Sequence, residues 1–185
     1  MKLIIGLGNP GKEYEKTRHN IGFAVIEGFG VQVLGFSDWK LDKKSKAEIA
    51  KSEIDGEKVI LAKPQTFMNN SGDSIKILTK TYNLKPNNLF IVHDDLDLPL
   101  GTMRLSFGSG SAGHNGVQSI IDSLGTKNFW RLRIGIGPQK GKSESFVLKR
   151  FLKEEQKTLK EVIDRTSEAL SLALQNPEKA MSQFN

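Results

Sequence analysis

The chain has three histidines, and a residue with an amide or carboxylate side chain directly follows each one: His19-Asn20, His93-Asp94 and His114-Asn115. Histidine is the side chain whose ordinary pKa lies nearest to neutrality, so it is suited to exchanging protons at physiological pH. Asn9 and the run Met68-Asn69-Asn70 add further amides in loop-like segments. Together these residues predict one polar pocket with histidine chemistry.

A histidine base, an aspartate and several neutral amides suit the hydrolysis of an activated ester by water. His19 would accept a proton from the water molecule. Asp94 would hold the imidazole ring in one tautomer and stabilise its charged form. Asparagine side chains would donate N–H groups to the developing oxyanion without adding charge. This set of residue types therefore favours an esterase.

Other uses of the same residues stay open. The chain has no G-x-S-x-G and no H-E-x-x-H pattern, so neither a serine nucleophile elbow nor a helical zinc pair is indicated. The three histidines with Asp94 could hold a metal ion. The acidic run 94–97 could equally be a calcium or magnesium loop or a solvated turn.

The glycine-rich loop after the apolar run Leu3-Ile4-Ile5 imitates two nucleotide-binding motifs. Gly6, Gly8 and Gly11 satisfy G-x-G-x-x-G, and residues 6–12 match the first seven positions of a P-loop. Both motifs need a helix to start directly after the glycines. Pro10 removes a backbone donor, and Glu13 stands where a P-loop has Ser or Thr. Nucleotide binding is therefore a third, weaker interpretation.

Composition limits the class of protein. The chain has 185 residues, no cysteine and a net charge of +6. Residues 126–160 carry ten Lys or Arg against three Glu, so this window holds +7 and the rest of the chain −1. A concentrated positive charge favours a polyanionic partner such as nucleic acid. We expect one catalytic domain over residues 1–185, in the cytoplasm, without membrane contact.

Strand-like and helix-like segments alternate along the chain. This order predicts an α/β fold: a single-domain, mixed, mostly parallel twisted β-sheet with helices on both faces. Asp55-Gly56 predicts a hairpin turn, which makes the sheet mixed. The predicted strands are 2–8, 47–54, 58–62, 89–92, 103–107 and 129–136, and the predicted helices are 21–34, 71–82, 117–124, 154–174 and a short one from Pro177.

Several segments of the chain closely resemble the bacterial peptidyl-tRNA hydrolase family, from residue 3 to about residue 151. The C-terminal helices, from about residue 154, match in length and pattern only. The matching segments are Gly6-Leu-Gly-Asn-Pro-Gly11, Tyr14, Thr17-Arg-His-Asn20 with Gly22, Lys63-Pro-Gln-Thr-Phe-Met-Asn-Asn-Ser-Gly72, His93-Asp-Asp-Leu-Asp-Leu-Pro99 with Gly101, Gly110-Ser-Ala-Gly-His-Asn-Gly116 and Arg131-Leu-Arg-Ile-Gly-Ile-Gly137.

The resemblance implies an enzyme that needs no metal or cofactor. It would cleave the ester between a peptide and the terminal ribose of tRNA, and so recycle peptidyl-tRNA released by stalled ribosomes. His19 matches the catalytic histidine of the family, and Asp94 matches the carboxylate paired with it. Asn9, Asn69 and Asn115 match the amides that bind substrate and order the water.

The resemblance also implies residues that bind the substrate. Tyr14, Phe67 and Met68 match the cleft, and Arg104, Arg133 and Lys142 match basic positions that grip tRNA. The family often has a second basic residue two positions after the first, where this chain has Ser106. We expect a monomer. The alternative function on the same fold is a non-catalytic RNA-binding protein, which would not need His19, Asp94, Asn9 and Asn115 together.

Overall fold

The computed structural model describes residues 1–35, 38–137 and 143–185. The strands are β1 (Lys2–Gly6), β2 (Lys40–Asp42), β3 (Ala47–Ile54), β4 (Glu57–Pro64), β5 (Leu89–Pro99), β6 (Met103–Phe107) and β7 (Trp130–Gly137). The α-helices are α1 (Ile21–Gln32), α2 (Ser71–Thr81), α3 (Asn115–Leu124), α4 (Ser143–Val147), α5 (Gln156–Gln175) and α6 (Pro177–Phe184). Short 3-10 turns precede several of the helices, including Arg18–Asn20 before α1 and Met68–Asn70 before α2.

All seven strands form one sheet, in the order β2-β3-β4-β1-β5-β7-β6. The four central strands β4, β1, β5 and β7 run parallel, and the outer strands β2, β3 and β6 pair antiparallel with their neighbours. The mixed sheet with a parallel centre confirms the predicted fold class. Parallel centres of this kind bind ligands beyond the carboxyl ends of their strands, which here include the ends of β1 and β5.

The central strands are buried on both faces, so their sequences are nearly continuous apolar runs. Successive residues of β1 enter opposite cores: Ile4 packs with Phe90 on one face, while Leu3 and Ile5 pack on the other. Helices α1, α5 and α6 cover the first core, and helices α2 and α3 cover the second. This layering keeps the sheet, and the turns and helix starts that carry most of the polar pocket residues, in a defined position.

The hairpin turn between β3 and β4 confirms the local prediction. Asp55 and Gly56 have φ angles of 49° and 80°, which place both in the left-handed region that a two-residue hairpin of type I′ requires. Asp-Gly is one of the few pairs that adopt this backbone readily. Strands β3 and β4 then pair along eight residues each.

Two interpretations of the sequence need correction. No helix follows the glycine loop directly, because residues 12–16 form turns and α1 begins only at Ile21; the loop therefore lacks the structure that a P-loop requires. The predicted strand 89–92 continues to Pro99, so Asp94 lies inside β5 and not beyond its end. Pairing with β7 supports this extension, with Asp94 opposite Ile134.

Within residues 1–35, 38–137 and 143–185, we find no helix with the length and apolar character needed to cross a bilayer.

Candidate active site

A single 3-10 turn, Arg18–Asn20, carries His19 between the end of β1 and the start of α1. The start of α1 lies directly on the sheet at Gly22, where any Cβ would overlap the carbonyl oxygen of Val92 and the backbone of Leu7. Gly22 therefore allows the turn to approach Leu7, just after β1, and Val92, inside β5, closely. This contact brings His19 to Asp94, although 75 positions separate the two residues.

His19 and His114 both contact the same carboxylate oxygen. Nδ1 of His19 lies 2.8 Å from Oδ1 of Asp94, and Nε2 of His114 lies 3.0 Å from that atom. The Asp94 side chain is 2% exposed and that of His19 is 12% exposed. The structure thus brings together the predicted base and the predicted aspartate, and it adds His114 to the pair.

The hydrogen bonds of the site define which nitrogens carry protons. Nδ1 of His114 accepts the backbone N–H of Val117, so Nε2 is the nitrogen that donates to Asp94. His19 likewise donates from Nδ1 to the ionised carboxylate. Its Nε2 then keeps a lone pair, which is the form that a general base needs.

Asp94 is held ionised in spite of its burial. Burial acts to raise its pKa, but the attraction of the His114 and His19 rings and their hydrogen bonds outweighs it, so that the pKa of Asp94 lies well below its usual range. His93 shows the opposite balance, because burial and repulsion from His114 hold its pKa well below the usual value. A neutral His93 packs its ring against His114 at 4.7 Å between centroids.

Asn9 is joined to the segment that carries Met68 and Asn69. Oδ1 of Asn9 accepts the backbone N–H of Met68 at 2.8 Å. The side chain of Met68 is buried and packs against Gly116, where a Cβ would overlap its sulfur atom. Met68 is therefore packed between the Asn9 loop and Gly116 at the start of α3.

A cleft of about 270 Å³ opens at this place, and His19, Asp94, His114, Asn115 and Val147 are among the residues that line it. Asn69 is exposed on the 3-10 turn before α2, and Asn115 is exposed as the first residue of α3. Of the predicted catalytic set, His19, Asp94 and Asn115 line this cleft, whereas Asn9 lines a second pocket and Asn69 is not among the residues that line the cleft.

Tyr14 and Phe67 form an aromatic pair beside Met68. Their rings meet edge to face, with 6.4 Å between centroids. Phe67 is 54% exposed and has a φ of 56° with a ψ of 158°, a backbone region that non-glycine residues rarely enter. Strained residues of this kind cluster at ligand-binding sites. The phenyl ring therefore presents an exposed apolar surface beside Tyr14.

The predicted tRNA-binding arginines lie together on the edge of the sheet. Arg104 of β6 is the register partner of Arg133 of β7, and Nε of Arg133 donates to Asp95 at 2.6 Å. Ser106 lies opposite Arg131, which is 2% exposed and donates to the carbonyl of Gly110. Lys142, the third predicted cation, lies outside the described residues.

The site also offers a set of metal-ligating atoms. Ligand atoms of His19, Asp94 and His114 lie within 4.8 Å of one another. Three protein ligands are the number found in catalytic zinc sites. Both histidines are already bonded to one carboxylate oxygen, which is the arrangement of an oriented general base. Removal of metal ions by chelation would distinguish the two interpretations.

The sequence places His114 and Asn20 in the predicted pocket without giving either residue a partner. His114 accepts the backbone N–H of Val117 and donates to Asp94. The side chain of Asn20 binds both backbone groups of Asn9. The sequence feature that points to both residues is the pair of His-Asn dipeptides, His19-Asn20 and His114-Asn115, because each dipeptide places an imidazole and an amide side by side.

The fold and the cleft together define an α/β protein with a histidine–aspartate pair that can act as a general base. The family model described as peptidyl-tRNA hydrolase matches residues 3–185. The peptidyl-tRNA hydrolase of Aquifex aeolicus (strain VF5) is 47% identical over 188 residues, covering 100% of this chain and 96% of that protein. That of Desulfitobacterium hafniense (strain Y51) is 45% identical and covers both chains completely.

Solved structures lead to the same result. The crystal structure of peptidyl-tRNA hydrolase from Acinetobacter baumannii superposes with a TM-score of 0.92 at 38% identity, covering 100% of this chain and 94% of that one. A crystal structure of a peptidyl-tRNA hydrolase in complex with N-propanol has a TM-score of 0.93 at 39% identity, with the same coverage. The chain belongs to the peptidyl-tRNA hydrolase family.

Proposed function

We propose that this protein hydrolyses the ester bond between a peptide and the 3′ ribose of tRNA, with His19 as the general base. The contact between His19 Nδ1 and Asp94 Oδ1 at the floor of the cleft carries the assignment, because it leaves Nε2 free to accept a proton. The direct test is release of an N-blocked amino acid from tRNA. Retention of the ester over a long incubation with the purified chain would refute the function.

The reaction follows from the arrangement of the side chains. Nε2 of His19 removes a proton from water while the water oxygen attacks the ester carbonyl. Amide N–H groups from Asn9, Asn69 and Asn115 donate to the oxyanion that forms. The tetrahedral intermediate then breaks its bond to the ribose oxygen, which takes the proton back from His19. The products are a free peptide carboxyl group and tRNA with an intact 3′ ribose.

Asp94 stabilises the charged intermediate state of His19. The ionised carboxylate faces the imidazolium across 2.8 Å in a setting almost closed to water, where charge–charge attraction is strong. His114 holds the carboxylate from the other side. The ring of His19 therefore needs no reorientation when it gains its proton.

The variant Arg133→Ala tests whether the sheet edge formed by β6 and β7 binds the tRNA. We expect Arg133→Ala to raise the apparent KM for full-length peptidyl-tRNA and to reduce the slope of log affinity against log salt by about one unit. Turnover at saturation should change little, because a phosphate contact acts equally in the ground state and the transition state. Kinetics at two salt concentrations, with full-length tRNA and with a substrate that carries only the terminal nucleotide, measure both effects.

Lys58→Ala is the matched control for this experiment. Lys58 lies in β4, toward the opposite side of the sheet from β6 and β7, and is exposed. The Lys58→Ala change removes one positive charge without altering the residues of β6 and β7 that are proposed to bind tRNA. Equal losses of Arg133→Ala on the large and the small substrate would place Arg133 in the catalytic pocket or the core instead.

Chelation separates the general-base mechanism from a metal mechanism. We expect turnover of a short aminoacylated RNA fragment to survive exhaustive dialysis against EDTA, because His19, Asp94 and His114 form a complete hydrogen-bonded base without an ion. The short fragment avoids the effect of magnesium on tRNA folding. Loss of activity that zinc or manganese restores would assign the same three residues to a metal site.

The alternative function is a non-catalytic RNA-binding protein on the same fold. The cleft argues against it, because tRNA binding at the β6–β7 edge does not need a buried pair of a histidine on the 18–20 turn and an aspartate inside β5. We further propose that residues 1–185 act as one catalytic domain, as a monomer in the cytoplasm. The family match over residues 3–185 supports the single domain, and gel filtration at assay concentration tests the monomer.

A further inference from the structure

We infer that Asn20 is a positioning residue that holds Asn9 in its substrate-facing orientation. The inference rests on the proposed function, which gives Asn9 a role in binding the reacting ester. Asn20 itself is 3% exposed and lies next to His19 on the same 3-10 turn. Its side chain points to the backbone of the Asn9 loop, and we derive its role from that contact.

The contact is a reciprocal pair of hydrogen bonds. Oδ1 of Asn20 accepts the backbone N–H of Asn9 at 2.9 Å, and Nδ2 of Asn20 donates to the carbonyl of Asn9 at 2.8 Å. The amide thus binds both backbone groups of one residue, as a neighbouring strand would. A primary amide offers a donor and an acceptor side by side, and no carboxylate or hydroxyl group reproduces this pairing.

The clamped backbone determines how the Asn9 side chain is used. Its Oδ1 accepts the backbone N–H of Met68 at 2.8 Å, so the oxygen is engaged. The Nδ2 group of Asn9 is consequently the end that remains for a ligand. An N–H donor is what an oxyanion or an ester carbonyl requires. A shift of the Asn9 backbone would turn this donor away from the reacting ester.

Helix capping does not explain the presence of asparagine at position 20. Asn20 occupies the N-cap of α1, where an asparagine side chain normally accepts a backbone N–H of the first turn. Asn20 makes no such bond. Asn176 at the N-cap of α6 shows the ordinary use, since its side chain accepts from the backbone N–H of Lys179. The side chain of Asn20 is instead committed to Asn9.

The 3-10 turn Arg18–Asn20 therefore positions two parts of the site. His19 presents the base toward Asp94, and Asn20 fixes the amide that receives the ester. The His-Asn dipeptide links the base, by a single peptide bond, to the residue that holds the Asn9 backbone, so the placement of Asn9 relative to the base follows from the geometry of the turn and these two hydrogen bonds. A displacement of about 1 Å in such a pair can cost about 100-fold in rate.

A double-mutant cycle with Asn9 tests the inference on the short RNA substrate. We expect Asn20→Ala to lower kcat by about 10- to 100-fold. In the Asn9→Ala background the same change should cost no more than about twofold, because its target is already gone. Equal costs in both backgrounds would overturn the inference and would show that Asn20 acts through His19 or through the fold.

Hydrogen exchange provides a readout that does not depend on activity. Asn20→Ala should speed exchange of the Met68 amide, whose acceptor is Asn9 Oδ1. Asn185→Ala is the matched control, because Asn185 makes the same reciprocal pair with the backbone of Leu105 at 2.7 and 2.9 Å. The control should speed exchange at Leu105 and leave Met68 protected and turnover of the short substrate unchanged.

The two measurements separate failure of this inference from failure of the proposed function. Parent protein without esterase activity refutes the function, while faster Met68 exchange in Asn20→Ala still supports the clamp. An active parent with unchanged Met68 exchange in Asn20→Ala refutes the clamp alone.

Asn20→Asp gives a third check, because it keeps the acceptor for the Asn9 N–H and places a negative oxygen against the Asn9 carbonyl. It should behave like Asn20→Ala.

Discussion

His19→Ala should lower turnover of peptidyl-tRNA by about 10²–10⁴-fold while leaving the fold intact. The variant loses Nε2 of His19, the one ring nitrogen of His19 and His114 that is free to accept a proton from water. Nδ1 of His19 and Nε2 of His114 bond to Asp94, and Nδ1 of His114 accepts from Val117. The His19 side chain is near the surface of the cleft and contributes little to either core. Single-turnover release of an N-blocked amino acid measures the loss directly.

Chemical rescue is the control for this variant. Added imidazole should restore part of the activity of His19→Ala, because the deletion leaves space beside Asp94 in a cleft open to small molecules. Thermal unfolding should stay close to that of the parent. Turnover above half of the parental value without imidazole would remove His19 from the mechanism.

Asp94→Asn should lower kcat by about 10²-fold or more, with a smaller change in KM for tRNA. Both histidines donate to Oδ1 of Asp94, so an asparagine can present its own oxygen to both and keep their placement. The change then removes mainly the negative charge that stabilises the imidazolium of His19. Full kinetic profiles at several pH values separate kcat from KM.

Asp42→Asn is the matched control for Asp94→Asn. Asp42 also has a pKa below its usual value, owing first to its hydrogen bond from the Ser45 hydroxyl, and it lies at the end of β2 outside the cleft. Its loss should leave turnover unchanged. If Asp94→Asn weakened tRNA binding and spared kcat, Asp94 would be a structural residue of β5 and not the partner of His19.

Local patterns predicted most of the fold because they describe interactions between near neighbours. The apolar runs predicted β1 and β7, and Asp55-Gly56 predicted the hairpin because the turn needs a left-handed backbone at both positions. Strand β2, with only three residues and two of them exposed, has no such pattern. It forms because β3 offers a pairing edge. In the same way, pairing with β7 extends β5 through its acidic residues.

The sequence by itself determined the chemical inventory of this protein: three histidines, each next to an amide or a carboxylate, a concentrated basic region and the motifs of a family. Only the tertiary structure decided that His19 and His114 share one oxygen of Asp94, and that Asn20 clamps Asn9. These contacts join residues that are 11 to 75 positions apart. The position of the turn that carries His19 and Asn20 depends on how closely the helix start at Gly22 packs against Leu7 and Val92, which no local pattern encodes.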